Sequence, residues 1–438
     1  MHGYKRELVT QLVKGLPLKE LTTMPSSSHI VRLSDLSPDQ RRGGLAAWLG
    51  WLFDGLDSTV YVLVALPLVT SLMPSGTPSM DIQHNIAYIQ AAFLVGWALG
   101  GAFFGRVGDR FGRSSTMAFS ILLYALCTGL SAFVVSWEQL LFFRFLAALG
   151  IGGEWAAGSS LVSETWPRSW RPWVSAALQS AYQCGLLLAA LASGLLASSP
   201  RYVFLVGALP ALIVFWVRRA VPEPEEWKSA KGSGEKHPPL SDLFRPPVRR
   251  ITILSLLICS ASLTTTWALI FWFPQQLRHL PDLKNWAPSA VNSYVAQATA
   301  LVTVAAIFGN FFAALIARRF GYRAATMVMF AGGFLSMRAT YGLPHNHVQI
   351  LYWAIWAHFF VQGVFGLFPM YIPPLFPTLL RTTGAGFCYN MGRIVAALGT
   401  IAFGVFAPIG NIGSALVWVA FLYLPALGIA AIIPEPDK

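Results

Sequence analysis

Charge is what this sequence has least of: Asp, Glu, Lys and Arg make up 11% of its 438 residues, against 55% apolar ones. A chain of that balance lacks the polar groups to clothe a soluble domain. Cysteine is scarce as well. Cys127, Cys184, Cys259 and Cys388 fall in separate apolar runs without a CxxC pair, which implies neither a disulfide frame nor a metal site and leaves them as packing residues. GxSxG, the GxxxxGK[ST] phosphate loop and HExxH are all missing. No enzyme, no cofactor and no ATP chemistry is therefore expected, and an ion gradient is the energy source left. Strand-length alternating segments, which a membrane barrel would need, are missing too.

Apolar length is abundant. A helix needs about 20 apolar residues to cross about 30 Å of hydrocarbon, and twelve such stretches can be marked, at 43–73, 85–107, 114–135, 138–163, 171–197, 201–218, 249–274, 290–316, 323–342, 349–376, 378–407 and 413–433. Lipid cannot satisfy backbone polar groups, so these runs predict an all-α membrane protein of twelve transmembrane helices.

The net charge of +12 could suggest nucleic acid, but the positions of the basic residues exclude it. With the N-terminus placed in the cytosol, the cytosolic side collects Lys5, Arg6, Lys14, Arg41, Arg42, Arg106, Arg110, Arg113, Arg168, Arg171, Arg218, Arg219, Arg249, Arg250, Arg318, Arg319, Arg323 and Arg381, among others. The opposite side keeps Arg201, Arg278 and Lys284. This positive-inside asymmetry predicts cytosolic termini and a plasma membrane location, a bacterial inner membrane by preference. Residues 1–42 are polar, with no apolar core before a cleavage site, so a cytosolic leader rather than a signal peptide is expected, and Met24 offers a second start.

The segment "RRAVPEPEEWKSAKGSGEKHPPLSDLFRPPVRR" at 218–250 divides the runs six and six and reads as a cytosolic linker with little core of its own. The expected organisation is a leader (1–42), a six-helix bundle (43–218), a linker (219–248), a second bundle (249–433) and a short tail (434–438). The halves echo one another. Phe111-Gly112 in "GRVGDRFGR" matches Phe320-Gly321 in "ALIARRFGYR", and Pro167 and Arg171 in "ETWPRSWR" recur as Pro377 and Arg381 in "PLFPTLLR". Two anchors at offsets of 209 and 210 residues indicate a duplicated six-helix unit, a common way to build two bundles around a central site.

From about residue 43 onward the chain resembles the major facilitator superfamily of transporters. "GRVGDRFGRSS" resembles that family's loop between spans 2 and 3, "RFLAALGIGGEWAAGSSLVSETWP" its span 4 pattern, and "VPEPEEW" the acidic stretch after span 6. "DGLD", "GGEW" and "YNMGR" are similar to the proton-coupled carriers of aromatic acids and sialic acid. The resemblance implies a conformational latch built on Gly105, Asp109, Arg110, Gly112, Arg113, Glu164 and Arg171. The second half departs from the pattern, with Arg318 in place of Asp109 and Pro374 in place of Glu164, which predicts a weaker counterpart there.

Charges well inside the spans are Asp54, Asp57, Arg144, Glu154, Arg338 and Arg393. Each costs roughly 2.5–3.5 kcal/mol at a helix centre on an insertion scale, which makes function the default reading. Asp54 and Asp57, at i and i+3, share a helix face; structural pairing with arginines is the competing explanation. With Glu154 they are the candidate proton-coupling groups. Arg144 and Arg393 offer planar forks suited to a carboxylate. Arg338 lies near a span end and is expected to snorkel. Tyr61, Gln179, Tyr182, Gln183, Trp267, His358, Gln362, Tyr389 and Asn390 could shape a pocket of flat faces and amides for an organic acid, although His358 on an apolar helix also reads as a core residue.

The expectation is a monomeric secondary transporter that imports a small organic anion, of aromatic or sugar-acid type, with protons across the lipid bilayer. In that scheme a protonated Asp57 frees Arg144 to grip the substrate carboxylate, with Arg393 helping from the other bundle. A neutral-sugar carrier, a proton-driven exporter and a non-transporting sensor are the alternatives.

Overall fold

A computed structural model describes residues 33–195, 200–232, 238–406 and 412–436. Contacts divide the chain into a short unit ending at Leu36 and a large one from Ser37 onward; most of the expected leader lies outside the described residues. Helices occupy every expected apolar run: α1 (Pro38–Leu72), α2 (Ser79–Phe111), α3 (Arg113–Leu130), α4 (Trp137–Thr165), α5 (Arg171–Leu195), α6 (Val203–Gly207), α7 (Ala211–Ala220), α8 (Glu225–Gly232), α9 (Arg249–Arg278), α10 (Pro288–Phe320), α11 (Tyr322–Tyr341), α12 (His347–Gly363), α13 (Phe368–Tyr371), α14 (Arg381–Phe406), α15 (Ile412–Ala420) and α16 (Tyr423–Ile432). No strand occurs among the described residues. Eight runs, including 84–111, 293–320 and 412–432, are by themselves long and apolar enough to cross a membrane.

Local chemistry sets several boundaries. α1 starts five residues before the apolar run, because Ser37 and Gln40 form a reciprocal capping box and Pro38 takes the first helical position. α2 passes into α3, and α10 into α11, through a single residue each: Gly112 at φ +113° and Gly321 at φ +92°. Only glycine adopts that backbone cheaply, which is why the Phe-Gly pair marks both copies of the repeat. Three expected continuous spans are broken instead, one of them the run at 413–433, between Ala420 and Tyr423. The run at 201–218 is interrupted between Gly207 and Ala211, and the run at 349–376 passes through a 3-10 turn at Val364–Gly366 before α13.

The duplication is legible in the packing. α2 and α3 pack on α4 as α10 and α11 pack on α12, and α1 packs on α5 as α9 does on α14. The halves meet where α14 lies on α2 and α10 on α5, a pairing that maps onto itself under the repeat. Glycines let the backbones approach: a Cβ on Gly100 would stand 2.1 Å from the Leu149 carbonyl oxygen, and one on Gly185 2.0 Å from that of Leu52. Large apolar side chains such as Phe103, Phe308, Leu335 and Trp418 are exposed, as a lipid-facing belt requires.

The linker departs from expectation. Its helix α8 buries Trp227 and Leu243 follows it into the core, so this segment is docked rather than merely connecting.

Candidate functional site

Asp57 on α1 is fully buried and paired with Arg144 on α4. Arg144 Nη1 donates to Asp57 Oδ1 at 3.0 Å and Oδ2 at 3.1 Å, and Nη2 donates to the Asp57 carbonyl at 3.2 Å. Thr128 on α3 donates its hydroxyl to Asp57 Oδ1 at 2.5 Å. Aromatic faces wall the guanidinium, with the ring centroids of Phe93, Tyr61 and Phe204 at 4.5, 5.7 and 5.9 Å. The pair thus sits inside the first helical half, between α1, α3 and α4. Tyr61 belongs to this wall, with its hydroxyl donated to the Ile86 carbonyl at 3.1 Å.

One turn along α1, Asp54 lies beside Glu154 of α4 and within electrostatic range of Arg393. Asp54 Oδ1 and both Glu154 oxygens are buried without a hydrogen-bond donor. Glu154 fills the notch left by Gly50, where a Cβ would meet its Oε1 at 2.2 Å.

Arg393 on α14 has no carboxylate within salt-bridge distance among the described residues. Its Cζ stands 3.9 Å from the centroid of Trp97 on α2 and 4.7 Å from that of Tyr389. Nη1 donates to Asn390 Oδ1, while Nε is buried and unpartnered. Tyr389 stacks on Trp155 of α4 at 4.0 Å and 7°, and the Trp97 Nε1 is a second buried donor with no acceptor. Nearby, Tyr182 bonds Ser58 at 3.1 Å across α1 and α5. Gln179 and Gln183 are buried with unpartnered Oε1 atoms.

Trp97 and Phe93 contact edge to face, 5.6 Å between centroids at 73°, and they separate the two arginines. The expected joint grip of one carboxylate by Arg144 and Arg393 is therefore not the arrangement found, because each guanidinium lies against a different ring of this pair. The remaining pocket candidates are scattered. His358 is buried with Nδ1 against the Ala354 carbonyl at 2.8 Å and its ring on Phe273 at 4.9 Å, the surroundings of a core residue. Trp267 is half-buried where two apolar clusters meet, and Gln362 is half-buried. Arg338 is exposed.

At the linker end a charged cluster ties the halves together. Asp109 at the end of α2 accepts from the Thr382 and Thr383 amides at 3.2 and 2.8 Å and from the Thr383 hydroxyl at 2.5 Å, so it caps α14 across the interface. Arg113 bridges Asp109 at 3.2 Å and Glu164 at 2.9 Å, and Arg381 joins Glu164 at 3.1 Å to Glu226 of the linker helix at 2.9 Å. Trp227 donates to the Asp109 carbonyl at 2.8 Å. Gly105 and Gly108 give α14 room to approach, a Cβ on Gly105 lying 2.8 Å from the Thr382 carbonyl oxygen. Arg110 is exposed over Phe111, and Arg171 leaves its Nε unpartnered; neither joins the cluster, and Arg381 occupies the place expected of its repeat mate Arg171.

The two halves share a further contact. Glu223 accepts from the Ser114 and Ser115 amides at 3.2 and 2.9 Å, and Glu435 accepts from the Tyr322 and Arg323 amides at 2.5 and 3.0 Å. These acids sit in "VPEP" at 221–224 and "IPEP" at 433–436, a further repeat that caps α3 and α11 alike and that a search of the two loop anchors overlooks. Trp97, Trp155 and Thr128 were missed for another reason: each is an ordinary core residue type in an apolar run. Among the described residues, no group of three or more His, Cys, Asp and Glu side chains could hold a metal.

The Major Facilitator Superfamily model matches residues 47–372. The sialic acid transporter NanX of Escherichia coli (strain K12) is 29% identical, covering 82% of this chain and 85% of its own. A probable 4-methylmuconolactone transporter of Cupriavidus pinatubonensis is 30% identical, covering 84% of each. In fold, the proton:xylose symporter XylE superposes with a TM-score of 0.76 at 17% identity, covering 91% of this chain and 96% of that one.

Proposed function

The chain belongs to the Major Facilitator Superfamily, a multi-pass membrane transporter and not an enzyme, and we propose that it carries an organic monocarboxylate together with protons by alternating access. Arg393 supports this reading best. A buried guanidinium without a carboxylate partner is costly unless an anion completes it, and its aromatic bed and free Nε–H leave an edge for one. The relatives named for sialic acid and 4-methylmuconolactone transport carry the same implication. The setting we infer is a bacterial inner membrane with the linker, the latch and both termini cytosolic, which makes the closed latch the mark of a conformation sealed on that side.

In the proposed cycle Asp57 is the proton site, and Arg144 and Thr128 hold its carboxylate between turnovers. Asp54 and Glu154 form a second carboxyl pair between that site and Arg393. Substrate carboxylate docks on Arg393, and protonation of the carboxyl groups offsets the charge carried with it. The loaded centre is then close to neutral and can cross the occluded state, since unpaired charge is what that state penalises. Opening inward requires release of Asp109 from the α14 amides.

The test is transport by purified protein in liposomes. Uptake of sialic acid or of benzoate should be accompanied by alkalinisation outside, accelerated by an inward proton gradient, and competed by carboxylates but not by xylose. Equal uptake with and without the proton gradient would remove the coupling claim.

A further inference from the structure

We propose that Phe93 and Trp97 are positioning residues that couple the proton site to the anion site. The inference rests on the reading above. Both side chains are almost fully buried, and they lie one turn apart on the same face of α2. Phe93 presents its face to Arg144 at 4.5 Å, meets Trp97 edge to face at 5.6 Å, and Trp97 carries Arg393 at 3.9 Å. The sequence of contacts Asp57, Arg144, Phe93, Trp97, Arg393 therefore runs from α1 through α4 and α2 to α14 along side chains that are all buried.

Close packing makes this chain of contacts mechanically significant. When Asp57 gains a proton, Arg144 loses the charge that holds it and must find another position. Phe93 is the ring pressed nearest to the guanidinium, and a well-packed interior does not let it stay while its neighbour moves. Trp97 follows through the edge contact, and the tilt of Trp97 sets where Arg393 presents its Nε–H. The reverse holds by reciprocity: an anion that pulls Arg393 off the Trp97 face relaxes Phe93 and eases the release of Arg144. The groups near Asp57 are Arg144 from α4, Tyr124, Cys127 and Thr128 from α3, Asp54 from its own helix and Gly207 from α6, while Tyr61 of α1, Phe204 of α6 and Phe93 of α2 wall the Arg144 guanidinium. Among the described residues of α1, α2, α3, α4 and α6, only α2 also bears on Arg393 through an aromatic face.

The experiment measures the affinity of purified, detergent-solubilised protein for whichever of sialic acid, 4-methylmuconolactone and benzoate gives the largest thermal shift, at about pH 6 and about pH 8. Wild-type protein should bind more tightly at the lower pH by on the order of tenfold, and Asp57→Asn should abolish the difference. Phe93→Leu and Trp97→Leu should each reduce it to less than about twofold while still binding the acid, and Trp97→Phe, which keeps a face for Arg393 and an edge for Phe93, should retain most of it. Leucine variants that keep the full pH difference would overturn the coupling by these rings and leave the transport reading intact. A wild-type protein with no pH difference, or one that binds none of the three acids, would overturn both.

Discussion

Arg393 rests on the face of Trp97 at 3.9 Å with no acid in salt-bridge reach among the described residues, whereas Arg144, behind the next ring on α2, is paired with Asp57 through both of its Nη groups. Two buried arginines thus differ, one paired with a carboxylate and one without such a partner among the described residues. Arg393→Lys should accordingly raise the concentration of organic acid for half-maximal uptake at least tenfold, because an ammonium lacks the flat fork that stacks and bonds at once. Substrate titrations in liposomes check this, and an unchanged affinity would move the anion site elsewhere.

Asp57→Asn keeps the shape of the carboxyl and deletes its charge. Counterflow of labelled substrate should persist, while accumulation against a gradient is lost, since exchange needs no net proton movement. Accumulation by the variant under an imposed proton gradient would exclude Asp57 as the coupling group.

Asp109→Ala removes the cap on α14 and one of the two acids that hold Arg113. Hydrogen bonds to a charged group are worth about 1.5–3 kcal/mol each, so the closed latch should lose at least tenfold in population. A cysteine placed at Thr382 in a protein free of its native cysteines would report this as faster alkylation from the linker side.

Trp227→Phe keeps the packing of the linker helix and deletes its hydrogen bond to the Asp109 carbonyl. A shift in the same direction as Asp109→Ala, smaller by several-fold, is expected in the alkylation assay. No shift would show that α8 covers the latch without fastening it.

At the opposite end, Asp282 accepts from the His347 amide at 2.8 Å and contacts its ring at 2.6 Å. Slight burial pushes the carboxyl upward, but the two His347 donors and its charge outweigh it and hold the group below its ordinary value of 3.8. A depressed carboxylate stabilises the fold above the unfolded value and loses that contribution as pH falls through the folded one. Thermal midpoints of wild type and Asp282→Asn should therefore differ at about pH 5 and converge as pH falls below about 4.

The sequence alone determined the membrane class, the twelve spans and the duplication, because apolar run length and the Phe-Gly anchors are local signals. It also named the intramembrane charges, since scarcity makes each one visible. Tertiary structure decided which of them meet. Helical periodicity shows that Asp54 and Asp57 share a face, but not that Asp57 faces Arg144 and Asp54 faces Glu154, nor that Arg393 is left on Trp97. Those pairings depend on how α1, α2, α4 and α14 rotate against one another, and that is set by glycine notches and ring packing spread over the whole chain. For the same reason Trp97 and Trp227, common apolar residues in their local context, acquired meaning only from what the fold placed beside them.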